Sequence, residues 1–261
     1  MKENELVNRF VKDIEWIRRM LLPMDTLAHP LMGIGDWDDA VCVKFVGKTL
    51  VASVDGPYTK RLVGKSALVH AATDVVVKGA RPLFALDTLI GPKDEIREMV
   101  GSLKKQALAM GIPILGGNTL IDDVEPLANI TVIGELVVPK PIRDCGAKKG
   151  DVIALLGEPI WGEQDERIRI AKKLFGCWFM ILENRIRINA AKDVTKGGLI
   201  SVAYEMQKKS KRKFNIKKEL PYPPGRNLDN FILALPLGEY KKIEKIAAEN
   251  KCGLERIGVV E

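Results

Sequence analysis

The stretch over residues 55–87, DGPYTKRLVGKSALVHAATDVVVKGARPLFALD, constrains the fold more than any other. An apolar strand over 49–54 delivers Asp55 and Gly56 into a turn that carries Lys60. A helix follows with an acid, Asp74, on a face that otherwise reads as buried. Gly79-Ala80-Arg81-Pro82 ends it, because proline cannot continue a helix, and a second apolar strand covers 83–86. Two carboxylates and a lysine at or near element ends are what holding a polyphosphate with a metal requires.

Upstream, Leu6, Phe10, Ile14, Ile17 and Leu21 recur at helical spacings, which predicts an amphipathic helix over 5–22. His29 reads as a loop residue, since a residue before proline is pushed out of the helical region. Gly33-Ile-Gly-Asp-Trp-Asp-Asp-Ala40 is an acidic glycine loop leading into a strand over 41–46. The following Gly47-Lys48-Thr49 looks like the end of a P-loop, but that motif needs glycine at position 42, where Cys42 stands, and a helix after it. The motif is rejected.

Downstream, a helix over 93–110 stops at Gly111, and a short buried strand over 112–115 ends in Gly116-Gly117-Asn118-Thr119. Another strand covers 128–138. Val138-Pro-Lys-Pro-Ile142 is the best boundary, because two prolines in three positions stiffen and separate; it divides the chain into 1–139 and 140–261. The second unit reads as a strand over 150–156, helices over 167–182 and 200–208, a strand over 231–235, a helix over 237–250 and a last strand. The element order predicts an α+β protein with helices layered on a sheet.

With 261 residues, 46% of them hydrophobic and 29% charged, disorder is not the default. The net charge of +7 favours anionic partners. Much of the excess lies in the KKSKRKFNIKK run over 208–218, which reads as a solvated helix end and loop. Only Phe214 interleaves that run, so nucleic acid is not an expected partner. The four cysteines are dispersed with no C-x-x-C pair, against a zinc site or a disulfide framework. No apolar run reaches the roughly 18 residues a membrane span needs, and the N-terminus lacks a signal peptide's apolar core. A cytoplasmic setting is expected.

Asp36, Asp38, Asp39, Asp55 and Asp193 sit where strands or glycine turns end. Magnesium takes hard oxygen ligands, so convergence of these acids would point to it; Asp38-Asp39 alone reads first as an ordinary turn. For Asp74 two readings stand: an ion pair with Lys78 one turn away, or a ligand. His70 reads as a helix-surface partner of Asp74. Gly116-Gly117 and Gly197-Gly198 permit close approach of a ligand, and the second pair opens a helix whose backbone N–H groups suit phosphate. With only His29 and His70 present, no Ser/His/Asp triad is suggested.

Taken together, these stretches resemble the superfamily of aminoimidazole ribonucleotide (AIR) synthetase, thiamine-monophosphate kinase, selenophosphate synthetase and the hydrogenase maturation protein HypE. Gly33-Ile-Gly-Asp36 with Asp38-Asp39-Ala40-Val41 is similar to G-x-G-D-D-A-A-V, widened around Trp37. Asp55-Gly-Pro-Tyr-Thr-Lys60 resembles D-G-V-G-T-K, and Thr73-Asp74 through Leu83 resembles N-D-[LV]-x-x-x-G-A-x-P-L. Gly116-Gly117-Asn118-Thr119 fits G-G-[DEH]-[ST] apart from its asparagine. Arg143 through Asp151 is similar to R-x-G-A-x-x-G-D, and Asp193 through Leu199 to D-x-T-x-G-G-L.

The resemblance implies an α+β N-terminal domain with a mixed sheet, pairing with its twin into a dimeric β-barrel, and an α/β C-terminal domain. It also implies an ATP–magnesium site and transfer of phosphoryl to, or ATP activation of, a small-molecule acceptor that it does not identify. By matching positions, Asp38, Asp39, Asp55 and Asp74 would hold magnesium and Lys60 would contact phosphate. Gly116, Gly117, Asn118, Asp193, Gly197 and Gly198 would border the nucleotide. The alternative is a non-catalytic nucleotide-binding or assembly protein on the same fold. Asn118 favours it, as does a C-terminal unit shorter than the family norm, with Trp161-Gly162 where a glycine-rich segment is expected. No residue before Cys42 could serve as the selenophosphate branch's N-terminal cysteine, and no cysteine ends the chain as in HypE, so neither activity is expected.

Overall fold

A computed structural model of the chain describes residues 3–12, 15, 22, 25–26, 29–36 and 38–261. The first helix, α1, covers Glu3–Phe10; most of the remaining span of the helix expected over 5–22 lies outside the described residues. The next elements are β1 (Val41–Phe45), β2 (Lys48–Thr59), a single turn α2 (Lys60–Val63), α3 (Ala67–Val77), β3 (Ala80–Gly91), α4 (Lys93–Met110), β4 (Ile114–Ile121) and β5 (Leu127–Leu136). Then follow β6 (Val152–Leu156), α5 (Gln164–Glu183), β7 (Ala190–Asp193), α6 (Gly198–Ser210), β8 (Phe214–Ile216), β9 (Phe231–Leu235), α7 (Leu237–Glu249) and β10 (Leu254–Val260).

Two five-stranded sheets result, ordered β1-β2-β5-β3-β4 and β7-β9-β6-β10-β8. In the first, β3 and β4 run parallel and the other neighbours antiparallel. In the second every pairing is antiparallel. Helices α5 and α7 nonetheless make crossovers, because each skips one strand: β9 lies between β6 and β7, and β6 between β9 and β10. This is the split βαβ arrangement, and it makes an α+β fold with one mixed sheet.

Helix α3 joins the two halves. Ten of its eleven residues are buried, Asp74 being the exception. Its start is held by Gln106 of α4, whose Oε1 accepts the Leu68 N–H at 3.0 Å and whose Nε2 donates to Val63 O at 2.8 Å. Its end is held by Trp178 of α5, fully buried, whose indole N–H donates to Val76 O at 2.7 Å. The buried Gln106 amide and Trp178 indole N–H thus both have partners, as burial requires. One apolar core runs from the first sheet through α3 into α5 and the second sheet.

The opposite face of the first sheet is open. Val54, Leu86, Leu115 and Leu120 are exposed there, and nearly all of β4 is uncovered. Two turns expected from sequence are in fact strand. Asp55-Gly56 lies inside β2, at a bulge between Asp55 and Tyr58. Gly116-Gly117-Asn118-Thr119 lies inside β4, where Gly117 is opposite Asp87 and Asn118 opposite Thr88. A Cβ on Gly117 would lie 2.0 Å from Asp87 O, so the glycine serves close strand approach.

Candidate functional site

One turn of α3 presents His70, Thr73 and Asp74 to the seam between the sheets. Asp74 meets Asp39, which precedes β1, and Asp193, which ends β7; oxygens of the three carboxylates lie within 4.8 Å of one another. Ser53 Oγ donates to Asp74 Oδ2 at 2.8 Å and Thr73 Oγ1 to Asp193 Oδ2 at 2.9 Å. Asp193 is fully buried and its Oδ1 has no hydrogen-bond partner among the described residues. Burial, then the charges of Asp193 and Asp55, push the Asp74 carboxyl well above the usual carboxylate range. Burial likewise raises Asp193, against the pull of Lys192. Carboxylates gathered this closely suit a hard divalent cation, whose charge would relieve the repulsion and use the free Oδ1.

Beside the trio lies a buried ion network. Lys192 pairs with Asp39, and Lys78 Nζ stands 3.0 Å from Asp39 Oδ2. Both also serve Asp144, which is fully buried and pairs with Lys78, with Lys192 at 3.6 Å and with Lys209 at 2.8 Å. Asp38 is drawn into this network by Arg143 and, at 3.2 Å, Lys209. Burial works against its ionisation, but Lys78, Lys209 and Arg143 together hold it below the ordinary carboxylate value. The i,i+4 pair between Asp74 and Lys78 does not form; Lys78 turns to Asp39 and Asp144 instead.

His70 is buried, not on the helix surface. Its Nδ1 lies 2.5 Å from Asp229 Oδ1 and its Nε2 3.1 Å from Asp55 Oδ2. Burial opposes the imidazolium, yet the two carboxylates outweigh it and hold the His70 pKa well above its ordinary value. Asp55, pushed up by burial, is pulled lower overall by His70. It therefore faces the histidine, while Asp39, Asp74 and Asp193 form the cluster.

Lys60 does not join the trio: its ammonium pairs with Glu95 and, at 2.6 Å, Glu98 on the solvent side of α4. Gly116, Gly117 and Asn118 sit exposed in β4. Gly197 and Gly198 do open α6, both with positive φ, at +83° and +62°. A Cβ on Gly198 would lie 2.5 Å from Pro224 O, so only glycine lets the helix start against that loop.

A cleft of about 270 Å³ is lined by Tyr58, Asp229 and His70, the last one helical turn from Asp74; none of the three clustered acids lines it. Its walls carry Arg61, Arg167, Lys196 and Arg226, none of which has a carboxylate within salt-bridge distance among the described residues. Two of these are fixed in place. Arg167 donates from Nε to Gly162 O at 2.8 Å and from a terminal nitrogen to Ser66 Oγ at 3.0 Å. The Arg226 guanidinium lies 3.9 Å from the centroid of the Trp161 ring, whose N–H donates to Asn227 O at 2.8 Å. Planar, pre-oriented guanidinium groups with spare N–H donors are a receptor for phosphate or carboxylate. Sequence reasoning noted Trp161-Gly162 and missed all four cations, which lie far apart along the chain.

Residues 37–136 match the family described as AIR synthase related protein, N-terminal domain. An uncharacterized protein of Methanocaldococcus jannaschii is 40% identical over 261 residues, covering 98% of this chain and 86% of that one. A selenide, water dikinase of Myxococcus xanthus is 29% identical over 216 residues, or 72% of this chain and 60% of its own length. Among solved structures, T. maritima PurL complexed with ADP superposes with a TM-score of 0.71 at 18% identity, over 85% of this chain and 42% of that chain. The fold is thus shared. The chain spans less than two thirds of the dikinase and less than half of the PurL it matches.

Proposed function

The chain belongs to the AIR synthase-related superfamily, and on that premise we propose that it is an ATP- and magnesium-dependent enzyme that phosphorylates or activates a small molecule. The observation that carries the reading is the convergence of Asp39, Asp74 and Asp193 beside a cleft walled by four cations. The dikinase name and the ADP complex of the PurL relative support it.

On this reading Asp74 and Asp193 hold magnesium. The ion, when bound, supplies charge neutralisation at the transferring phosphoryl group. Arg61, Arg167, Lys196 and Arg226 take up the anionic groups of nucleotide or acceptor; the N–H groups of Gly198, Ile200 and Ser201 at the start of α6 are already bonded to Thr195 O, Pro224 O and Gly197 O. Phosphoryl transfer asks mostly for positioning and electrostatics, and these residues provide both. The His70 imidazolium, held between Asp55 and Asp229, fixes the floor of the cleft. Residues 1–139 and 140–261 act as the two domains of the site, and the open face of the first sheet, with Leu115 and Leu120, pairs with a second copy.

Release of ADP in the presence of candidate acceptors tests the reading. It is abandoned if millimolar ATP shows no magnesium-dependent binding. A second reading, nucleotide binding without chemistry, is favoured by the capture of Lys60 by Glu95 and Glu98. ATP turnover that disappears in Asp74→Asn would remove it.

A further inference from the structure

The acid trio has two unlike halves. Asp39 has an ammonium group beside each oxygen: Lys192 is hydrogen-bonded to Oδ1, and Lys78 lies 3.0 Å from Oδ2 as an ion pair without hydrogen-bond geometry. Neither lysine is free to leave for solvent. The Lys78 side chain is fully buried and that of Lys192 is 8% exposed. Asp144 and Glu205, the latter 3.5 Å from Lys192 Nζ, hold them from behind. Asp74 and Asp193 meet no lysine ammonium within salt-bridge distance among the described residues. They accept hydrogen bonds from the Ser53 and Thr73 hydroxyls, and Asp193 Oδ1 is buried without a hydrogen-bond partner among the described residues.

An ammonium group has donors and no lone pair, so it cannot ligate a metal. It can, however, place positive charge where a cation would otherwise sit. A carboxylate whose two oxygens both face buried ammonium groups is a poor ligand, because metal binding would have to displace those charges in a low-dielectric setting. Lys192 also directly precedes Asp193, so β7 delivers an ammonium and a metal-facing carboxylate together from adjacent residues.

We infer that Lys192 and Lys78 act as a built-in counter-cation of the acid cluster, so that the chain takes one divalent cation, between Asp74 and Asp193. Asp39 is then a lysine-bound acid outside the metal's ligand set, and the pair of ammonium groups stands in for a second metal. This rests on the reading of the trio as a metal site and adds the number of ions and the residues that set it.

Manganese titration of the full chain, followed by the paramagnetic resonance of free Mn2+ with and without ATP, tests it. Wild type is expected to bind one Mn2+ per chain. Asp39→Asn should leave its affinity within about 3-fold and Asp74→Asn should weaken it at least 10-fold. Lys192→Met, by freeing Asp39, should add a second Mn2+ or tighten the first at least 10-fold. Should that variant fail to fold, the comparison of Asp39→Asn with Asp74→Asn decides alone. Two Mn2+ per wild-type chain, or equal losses in the two Asn variants, overturns the inference and leaves the metal reading standing. Absence of Mn2+ binding by wild type at millimolar concentration, with or without ATP, overturns both.

Discussion

Asp74 and Asp193 illustrate how a site can be costly for the fold that carries it. Both carboxyls are raised by burial, and Asp74 further by its neighbours' charges. Their charged forms are therefore unfavourable in the metal-free protein. Asp74→Asn is expected to raise the melting temperature, at about 2–4 °C per kcal/mol for a chain of this size, while lowering magnesium-dependent ATP turnover at least 100-fold; unfolding scans and an ADP-release assay read the two effects. Because a metal must displace any proton on Asp74, divalent-ion affinity should climb as pH rises from the ordinary carboxylate value of about 3.9 towards the raised folded value, then level off. Calorimetry across that range checks it. His70 gives the opposite limb. Its folded pKa exceeds the ordinary value of about 6.5, so its stabilisation is fully present below that value and lost as pH rises through the folded one. The groups facing it are Asp55, Asp229, Tyr58 and, by charge, Asp74 and Asp193. His70→Gln should flatten the alkaline fall of the melting temperature, and an unchanged slope would show that other groups cause it.

Among the elements, α3 and the start of α6 set the geometry. Gly198→Ala places a Cβ against Pro224 at a positive φ, and should cost about 1–3 kcal/mol, the usual range for such strain, measurable by denaturant unfolding. Arg167 and Arg226 act at the cleft wall rather than in the core, so Arg167→Gln or Arg226→Ala should weaken ATP or acceptor binding about 10-fold with little change in melting temperature. Much of this layer was legible in the sequence. The helix expected over 93–110 is α4, stopped by Gly111 at φ +68°, because heptad-like spacing and a left-handed glycine are local signals. Strand ends were less legible. Glycines at 56, 116 and 117 suggest turns by composition, yet here they serve a bulge and close strand approach, which depend on the partner strand. The four-residue β7 escaped notice because it is uniformly buried and carries a lysine. Lysines read as solvated, and nothing local says that Lys78 and Lys192 close on acids contributed by distant segments.

At the scale of the whole molecule, the acidic motifs name residues from several segments, and tertiary pairing decides which acids meet. Asp38 and Asp55 went to Arg143 and His70; Asp193 joined Asp39 and Asp74. The open apolar face of the first sheet exceeds what isolated surface residues explain, and light scattering should find a dimer that Leu115→Lys with Leu120→Lys converts to monomer. The central claim, a nucleotide site assembled by metal and cations at the seam of the two sheets, is tested most directly by calorimetry with ATP in the presence and absence of magnesium. Binding that needs magnesium and is lost in Asp193→Asn is the predicted result. Equal binding with and without magnesium, or binding untouched by Asp193→Asn, would contradict it.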